Sequence, residues 1–487
     1  MLAPSTKEVQ IDMGDFSEKV LAKELHGRVA HNLYIQDGKG SSGKGIRAKP
    51  LLSRSSRSIG QFLQSAFLPQ GYPDSVSDDY LDYQKWDTIQ AFCSYVTGTL
   101  ATQAVLKGLG VGDQTATAAG ATVTWLLRDG AGMVGRVIFA WIQGTDLDCN
   151  AKQWRLVADI LNDTAMLLEL ISPFFPMYFL FIACLASLAR SIVGVAGGAT
   201  RASITMHQAR SGNMADVAAK DGSQETLVSL VGLIVGTIIT PMINNNQMII
   251  WTLFLTFTCC HLIANYMAVA VVRMDRLNFA RFHVAAQDFL TCGSIPGITS
   301  TNSREPLLML LLPGGVHLQL GAQFNSVIES ANDLDGFTFD RDEKYLMRLN
   351  LTSGRSVHRT GVISVVLHPD VTADDLMRLT LHAEIIQLCL QVRKLDVAAP
   401  CQREMTMLID FIFNDNGSRS NDARLLSKAD CQQVVNMSYR CAQRLFPEFQ
   451  AGLLAKGWLI DAVQFNVDEW RSMWDKQGID VDPNKKL

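Results

Sequence analysis

Between Thr226 and Val272 the chain carries no Asp, Glu, Lys or Arg. Few folds accommodate such a stretch. A soluble domain would have to bury all of it, whereas a helix in hydrocarbon satisfies its own backbone hydrogen bonds and needs no polar side chains. Pro241 and the run Asn244-Asn-Asn-Gln247 interrupt the stretch, which predicts a helical hairpin with arms at Leu227–Ile243 and Met248–Val272. The tip is uncharged, and Arg273, Arg276 and Arg281 follow the second arm. That arginine excess predicts that both hairpin ends, and the domain that follows, face the cytosol or an equivalent compartment. The expected location is therefore a membrane crossed more than once, in an organelle the residues do not name.

Composition agrees with this. Only 18% of the 487 residues are charged, against about 25% for an ordinary soluble domain. A hydrophobic share of 48% excludes wholesale disorder, and a formal net charge of −4 excludes bulk attraction to nucleic acid. The ten cysteines are scattered without a CxxC pair, so they read as reduced, structural thiols.

Three regions follow. Residues 1–66 read as a flexible polar leader around the Gly/Ser-rich stretch 36–45. Residues 67–280 read as a helical, membrane-embedded domain. Within it Thr88–Leu106 and Leu170–Ala189 are uncharged, the latter with Pro173 and Pro176 bending its start. Gln114–Leu127 and Val137–Gly144 are shorter, and read as half-helices or buried segments. Trp154, Val157, Ile160 and Leu161 give Gly144–Glu169 amphipathic spacing. Residues 281–487 read as a soluble α+β domain, with strands at Leu307–Leu312, Val316–Leu320, Lys344–Leu351 and Gly361–Leu367. Its helices are expected from Thr372 onward, over 376–394, and over 428–476. The expected fold is thus mainly α: a multi-pass helical membrane domain followed by a smaller soluble α+β domain.

The motifs exclude more than they assign. Gly38-Lys-Gly-Ser-Ser-Gly-Lys-Gly45 approaches a phosphate-binding loop, but Gly45 stands where a magnesium-binding hydroxyl is needed. The histidines are isolated, with no HxxxH or HExxH, so no metal and no cofactor is expected. No nucleophile–base pair is readable, and a non-enzymatic role is expected. Charges among the apolar runs are more informative. Arg128, Asp129 and Arg136 lie between two hydrophobic segments, and Arg190 and Arg201 flank a glycine cluster. In a bilayer such charges pair, line a polar path or reach for the interface. Asp129 reads equally as an arginine's partner or as part of a ligand path. The arginine excess would suit a small anionic or phosphorylated molecule. Gly194 with Gly198, and Gly232 with Gly236, have the four-residue spacing that lets membrane helices approach closely. Asp216 and Lys220 read either as a helix-face ion pair or as part of a gate before the hairpin.

Several longer motifs carry a resemblance. Phe67-Leu-Pro-Gln-Gly-Tyr-Pro-Asp-Ser-Val76, Trp125-Leu-Leu-Arg-Asp-Gly-Ala-Gly-Met-Val-Gly-Arg136, Val193-Gly-Val-Ala-Gly-Gly-Ala-Thr-Arg201 and the stretch from Asn213 to Thr226 resemble the Root UVB Sensitive family. The resemblance runs from about residue 67 to the Trp470–Trp474 region. It implies a link to pyridoxal phosphate homeostasis and, as in some plant members, a complex with a paralogue or a second copy. It supplies no catalytic residues. Without a plastid transit peptide at its start, the chain resembles the animal-type members, which are described as membrane proteins. Two functions compete: handling or transport of a small anionic metabolite, and a membrane adaptor that recruits a partner through its C-terminal domain. A soluble enzyme would require Thr226–Val272 to be buried wholly by protein.

Overall fold

The structure is a computed structural model. It describes residues 20–26, 29–36, 46–50, 59–110, 117–243, 246–308, 316–330, 343–351, 361–392, 402–413 and 426–474, with some positions between 333 and 339. The chain forms two units, Met1–Asp78 with Gln208–Leu227, and Asp79–His207 with Val228–Leu487.

In the first unit β1 (Val20–His26), β2 (Val29–Gln36) and β3 (Ile46–Pro50) pair as an antiparallel sheet in that order, and α1 spans Ile59–Phe67. A stretch read from sequence as a flexible leader therefore contains a sheet. The signal was the period-two alternation of apolar residues at Val29, Leu33 and Ile35, which marks a strand. The glycine-rich stretch 37–45 lies outside the described residues. Farther along, Ser77 N donates to Gln208 O at 3.0 Å and Arg210 N to Ser75 O at 3.1 Å.

The second unit begins with long helices. These are α2 (Tyr80–Gly108), α3 (Ala118–Cys149), α4 (Ala151–Ile171), α5 (Phe179–Gln208), α6 (Met214–Ile243, whose first turns belong to the first unit) and α7 (Gln247–Val271). The two short segments expected near 114–127 and 137–144 are parts of one helix, α3, because Arg128, Asp129 and the glycines between them do not interrupt backbone hydrogen bonding. Pro173 is the second residue of one short 3-10 turn, Ser172–Phe174, and Pro176 the first of another, Pro176–Tyr178, and α5 then runs well past Ala189 to Gln208. The hairpin forms as α6 and α7. Pro241 sits inside the last turn of α6 rather than ending it, and Asn246 caps α7 through Met248 N at 3.1 Å. Among the described residues three segments are long and apolar enough to cross a membrane: Pro176–Gln208, Met214–Ile243 and Gln247–Val271.

The glycines fix two close approaches. A Cβ on Gly232 would lie 2.7 Å from the Tyr95 ring, and one on Gly236 3.0 Å from Thr99 Oγ1, so α6 and α2 touch there as the spacing predicts. Gly132 likewise abuts Ser187 across α3 and α5. Gly194 and Gly198 differ: among the described residues nothing lies within 4 Å of a Cβ on either, so the close approach seen at Gly232 and Gly236 is not found there.

Past α7 come β4 (Arg276–Asn278), α8 (Phe279–Cys292), α9 (Ile298–Arg304), β5 (Val316–Leu320), α10 (Phe324–Val327), β6 (Tyr345–Leu351), β7 (Gly361–Leu367), α11 (Ala373–Gln391), α12 (Gln402–Phe413), α13 (Lys428–Ala455) and β8 (Leu459–Gln464). β5 runs parallel and β6 antiparallel to the central β7, and β4 pairs parallel with β8. These elements form an α+β part of the second unit. Phe282, Phe289, Tyr345, Val365, Ile385 and Phe449 lie within one buried core, each large apolar side chain contributing about 1.5–3 kcal/mol. Thr372 with Asp375 and Ser427 with Asp430 form reciprocal caps that start α11 and α13. Two expectations change. Leu307 and Leu308 are not in a strand, and 309–312 fall outside the described residues. The helix read over 428–476 ends at Ala455, because Gly457 turns with φ +84° and the chain leaves to pair as β8.

Candidate functional site

Helix α4 carries the chemistry. Its inner face mixes two kinds of side chain: Trp154, Leu156, Ala158, Met166 and Leu170 are buried as the amphipathic spacing predicts, but so are Lys152, Asp159, Asp163 and Glu169, while Ile160 and Leu167 are exposed. α3 shows the complementary pattern. It buries Gly132, Gly135, Leu147 and Cys149, and turns Trp125, Leu126, Val134, Val137 and Trp141 outward, the last 84% exposed. In water such an apolar face costs about 25 cal/mol per Å². Buried charges on α4 and large exposed apolar side chains on α3 depart from the ordinary soluble pattern.

Two of the expected arginines converge on α4. Arg128 Nη2 donates to Glu169 Oε1 at 2.8 Å, and its Cζ lies 4.9 Å from the Trp125 ring centroid. Arg190 Nε donates to the same oxygen at 3.0 Å, and its Nη2 to Glu169 Oε2. Glu169 is 2% exposed while Arg190 remains 35% exposed. Two guanidiniums against one carboxylate leave a net positive charge, with the geometry to bind a carboxylate or phosphate. Arg128 Nε is buried and has no hydrogen-bond partner among the described residues.

The remaining expected residues do not join this cluster. Asp129, one position from Arg128 and so about a quarter-turn away on the helix, is exposed, as is Arg136; neither forms an ion pair among the described residues. The pairing of Asp129 with an arginine is therefore corrected: Glu169 takes that role. Arg201 is half-buried near the end of α5 and is not one of the groups bonded to Glu169 among the described residues. In the first unit Asp216 and Lys220 bond to other groups instead of to each other. Asp216 Oδ2 accepts from Gln70 N at 2.7 Å, and Lys220 Nζ donates to Ser65 O at 2.5 Å, tying the start of α6 to α1 and to the segment just after it.

Sequence reasoning missed a second polar group in the same bundle. Gln90 Nε2 on α2 donates to Asp159 Oδ2 at 2.8 Å and lies 3.2 Å from His261 Nε2, while His261 Nδ1 lies 2.8 Å from Asp163 Oδ2. Because the amide nitrogen only donates, His261 Nε2 accepts and its Nδ1–H donates to Asp163. Nearby, Arg155 Nη2 donates to Asp87 Oδ1 at 3.0 Å. Four-residue spacing on α4 marks Asp159 and Asp163 as neighbours, but their partners lie on other helices and leave no local pattern.

A third group joins α4 to the α+β part. Lys152 Nζ lies 3.0 Å from Glu305 Oε2 and donates to Asn302 Oδ1 at 2.8 Å. Arg281 Nη1 donates to Glu305 Oε1 at 2.9 Å. Burial pushes the Glu305 carboxyl up, but Arg281 and Lys152 together outweigh it and hold it at about 2. Arg281, counted from sequence among the arginines that orient the hairpin, is paired inside the protein.

Among the described residues no three His, Cys, Asp or Glu side chains converge as metal ligands. The fold and its charged interior define a helical protein with apolar outer faces, joined to a compact α+β part. The chain belongs to the Root UVB Sensitive family. Residues 53–293 match the profile described as a vitamin B6 photo-protection and homoeostasis domain, and residues 294–474 the profile described as root UVB sensitive protein, C-terminal. The Dictyostelium discoideum protein RUS family member 1 is 53% identical over 246 residues, 50% of this chain and 47% of that relative, so the match spans about half of its length. Protein root UVB sensitive 3 of Arabidopsis thaliana is 39% identical over 335 residues, covering 66% of this chain and 74% of that relative. Protein root UVB sensitive 6 of the same plant is 28% identical over 372 residues, 75% and 72% of the two chains. No solved structure matches this chain.

Proposed function

We propose that this chain is an integral membrane protein that binds and moves a small anionic metabolite, and that a phosphorylated form of vitamin B6 is the class to test first. The reading is of a carrier rather than an enzyme. The observation that carries it is the pair Arg128 and Arg190 on the single buried carboxylate Glu169, a locally cationic group with Arg190 still within reach of a ligand. The outward apolar faces of α3 and the three span-length segments support the membrane placement. The family profile's description supports the vitamin. In this reading the α+β part is cytosolic.

The test is uptake of pyridoxal 5′-phosphate into proteoliposomes holding the purified chain. Arg190→Gln lowers uptake at least about tenfold, the loss expected for one charge-assisted contact. Uptake by wild type no faster than by empty vesicles contradicts the reading.

A further inference from the structure

Glu169 is 2% exposed and accepts three hydrogen bonds: from Arg128 Nη2 at 2.8 Å, from Arg190 Nε at 3.0 Å, and from Arg190 Nη2 on its second oxygen. One edge of Arg190 is thus given wholly to a carboxylate, the grip an arginine uses on a carboxylate or phosphate ligand. Yet Glu169 fits the place it fills poorly. It stands in the last turn of α4, at the negative end of the helix dipole, where a carboxylate is disfavoured. It leaves Arg128 Nε buried without a hydrogen bond among the described residues, an unmet donor that a fuller partner would satisfy. Among the described residues no hydrogen bond engages the Nη1 of either arginine.

We infer that Glu169 is an internal stand-in for the ligand's anionic group: an incoming phosphate monoester displaces it from Arg190 and Arg128, and its return expels the ligand. The inference deepens the transport reading and rests on it for the ligand class. No covalent bond changes. A phosphate monoester carries close to two negative charges and three acceptor oxygens, so it matches two guanidiniums where one carboxylate cannot. It arrives on the side of Arg190, which is 35% exposed. Met166 and Leu170 pack with Leu100 and Ile243 and hold the backbone of α4 on either side of Glu169. The exchange is therefore a rotation of one side chain. While Glu169 holds the arginines the site is closed, and the ligand's apparent affinity falls by the fraction of time it is open.

The test compares wild type with Glu169→Gln, each as the full chain purified in a neutral detergent. The probes are pyridoxine 5′-phosphate, which lacks the aldehyde that reacts with lysines, and phosphatidic acid in micelles of the same detergent. The variant binds pyridoxine 5′-phosphate at least about tenfold more tightly than wild type, and the ester raises its unfolding temperature more. A charge pair that only held helices together would give neither gain. Equal or weaker binding by the variant overturns the proposal. Glu169→Asp, one methylene shorter, serves if Glu169→Gln does not purify; a smaller gain is expected, and unchanged affinity overturns the proposal. A gain confined to phosphatidic acid upholds displacement, makes the ligand a lipid headgroup and overturns the metabolite reading. In proteoliposomes Glu169→Gln lowers both the KM and the maximum rate of uptake of the ester, because nothing expels the bound ligand. Wild-type uptake with no gain in the variant's affinity overturns displacement while transport stands; no uptake, with the gain intact, overturns transport and leaves displacement.

Discussion

Glu169 of α4 and Arg190 of α5 meet through both carboxylate oxygens, and Arg128 of α3 takes one of the same oxygens at 2.8 Å. One acid thus holds three helices. Glu169→Gln leaves two guanidiniums without a counter-charge and destabilises the helical part by about 3 kcal/mol, the low end for a broken buried pair because Arg190 is partly exposed. Asp129→Asn, at an exposed position without an ion pair, changes stability by less than about 0.5 kcal/mol. Thermal unfolding in detergent measures both, and equal effects would contradict the assignment of Glu169 as the arginines' partner.

Lys152, Glu305 and Arg281 are each about 1% exposed. Removing the central carboxylate by Glu305→Gln strands two buried cations and costs about 3–5 kcal/mol. The same stabilisation has a pH limit. The Glu305 carboxyl is held at about 2, below its unfolded value, so its contribution is complete above that unfolded value and disappears as pH falls towards 2. A denaturation series at falling pH shows this loss in wild type and a smaller one in Glu305→Gln.

The hairpin was legible in the sequence because it needed no partner information: the missing charge between Thr226 and Val272 declares it locally. The strands at Tyr345 and Gly361 and the caps at Thr372 and Ser427 were equally local in origin, though Ser427 went unread. The site was less legible. Arg128 and Arg190 stood out as charges in apolar surroundings, but Glu169 satisfies both from another helix. Its one sequence signal was a lone acid between Met166 and Leu170. Asp129 attracted attention by adjacency, while helical geometry turns neighbours in different directions. His261 lies 98 residues from Asp163, and no spacing rule connects them.

Gly232 separates close packing from mere composition. Gly232→Val forces a side chain into the Tyr95 ring and destabilises by about 1–3 kcal/mol. Gly194→Ala meets nothing within 4 Å and, inside a helix, stabilises by about 0.5–1 kcal/mol. Paired thermal melts decide this, and equal midpoints for the two variants would contradict the α6–α2 contact.

His382 gives the α+β part a pH dependence of its own. Its Nε2–H donates to Ser438 Oγ at 2.8 Å and to Val435 O at 3.1 Å, while Nδ1 accepts from Tyr345 OH at 3.0 Å. Burial pushes the imidazole down to about 3. The unfolded chain binds a proton that the fold excludes, so stability is full above about pH 6.5 and falls by about 1.4 kcal/mol per pH unit below it. Denaturation at about pH 7 and about pH 5 shows a loss of about 2 kcal/mol in wild type, and His382→Gln removes that slope. An unchanged slope in the variant would contradict the buried neutral histidine.

Alkaline carbonate extraction of the tagged full-length protein from its cell membranes, with detergent as the control, tests the membrane reading most directly. Retention in the pellet, with release only by detergent, is the predicted result, because the outward faces of α3 and of the α6–α7 hairpin are apolar and lipid would cover them. Release by carbonate alone would contradict it, since those faces would then have to be covered by protein.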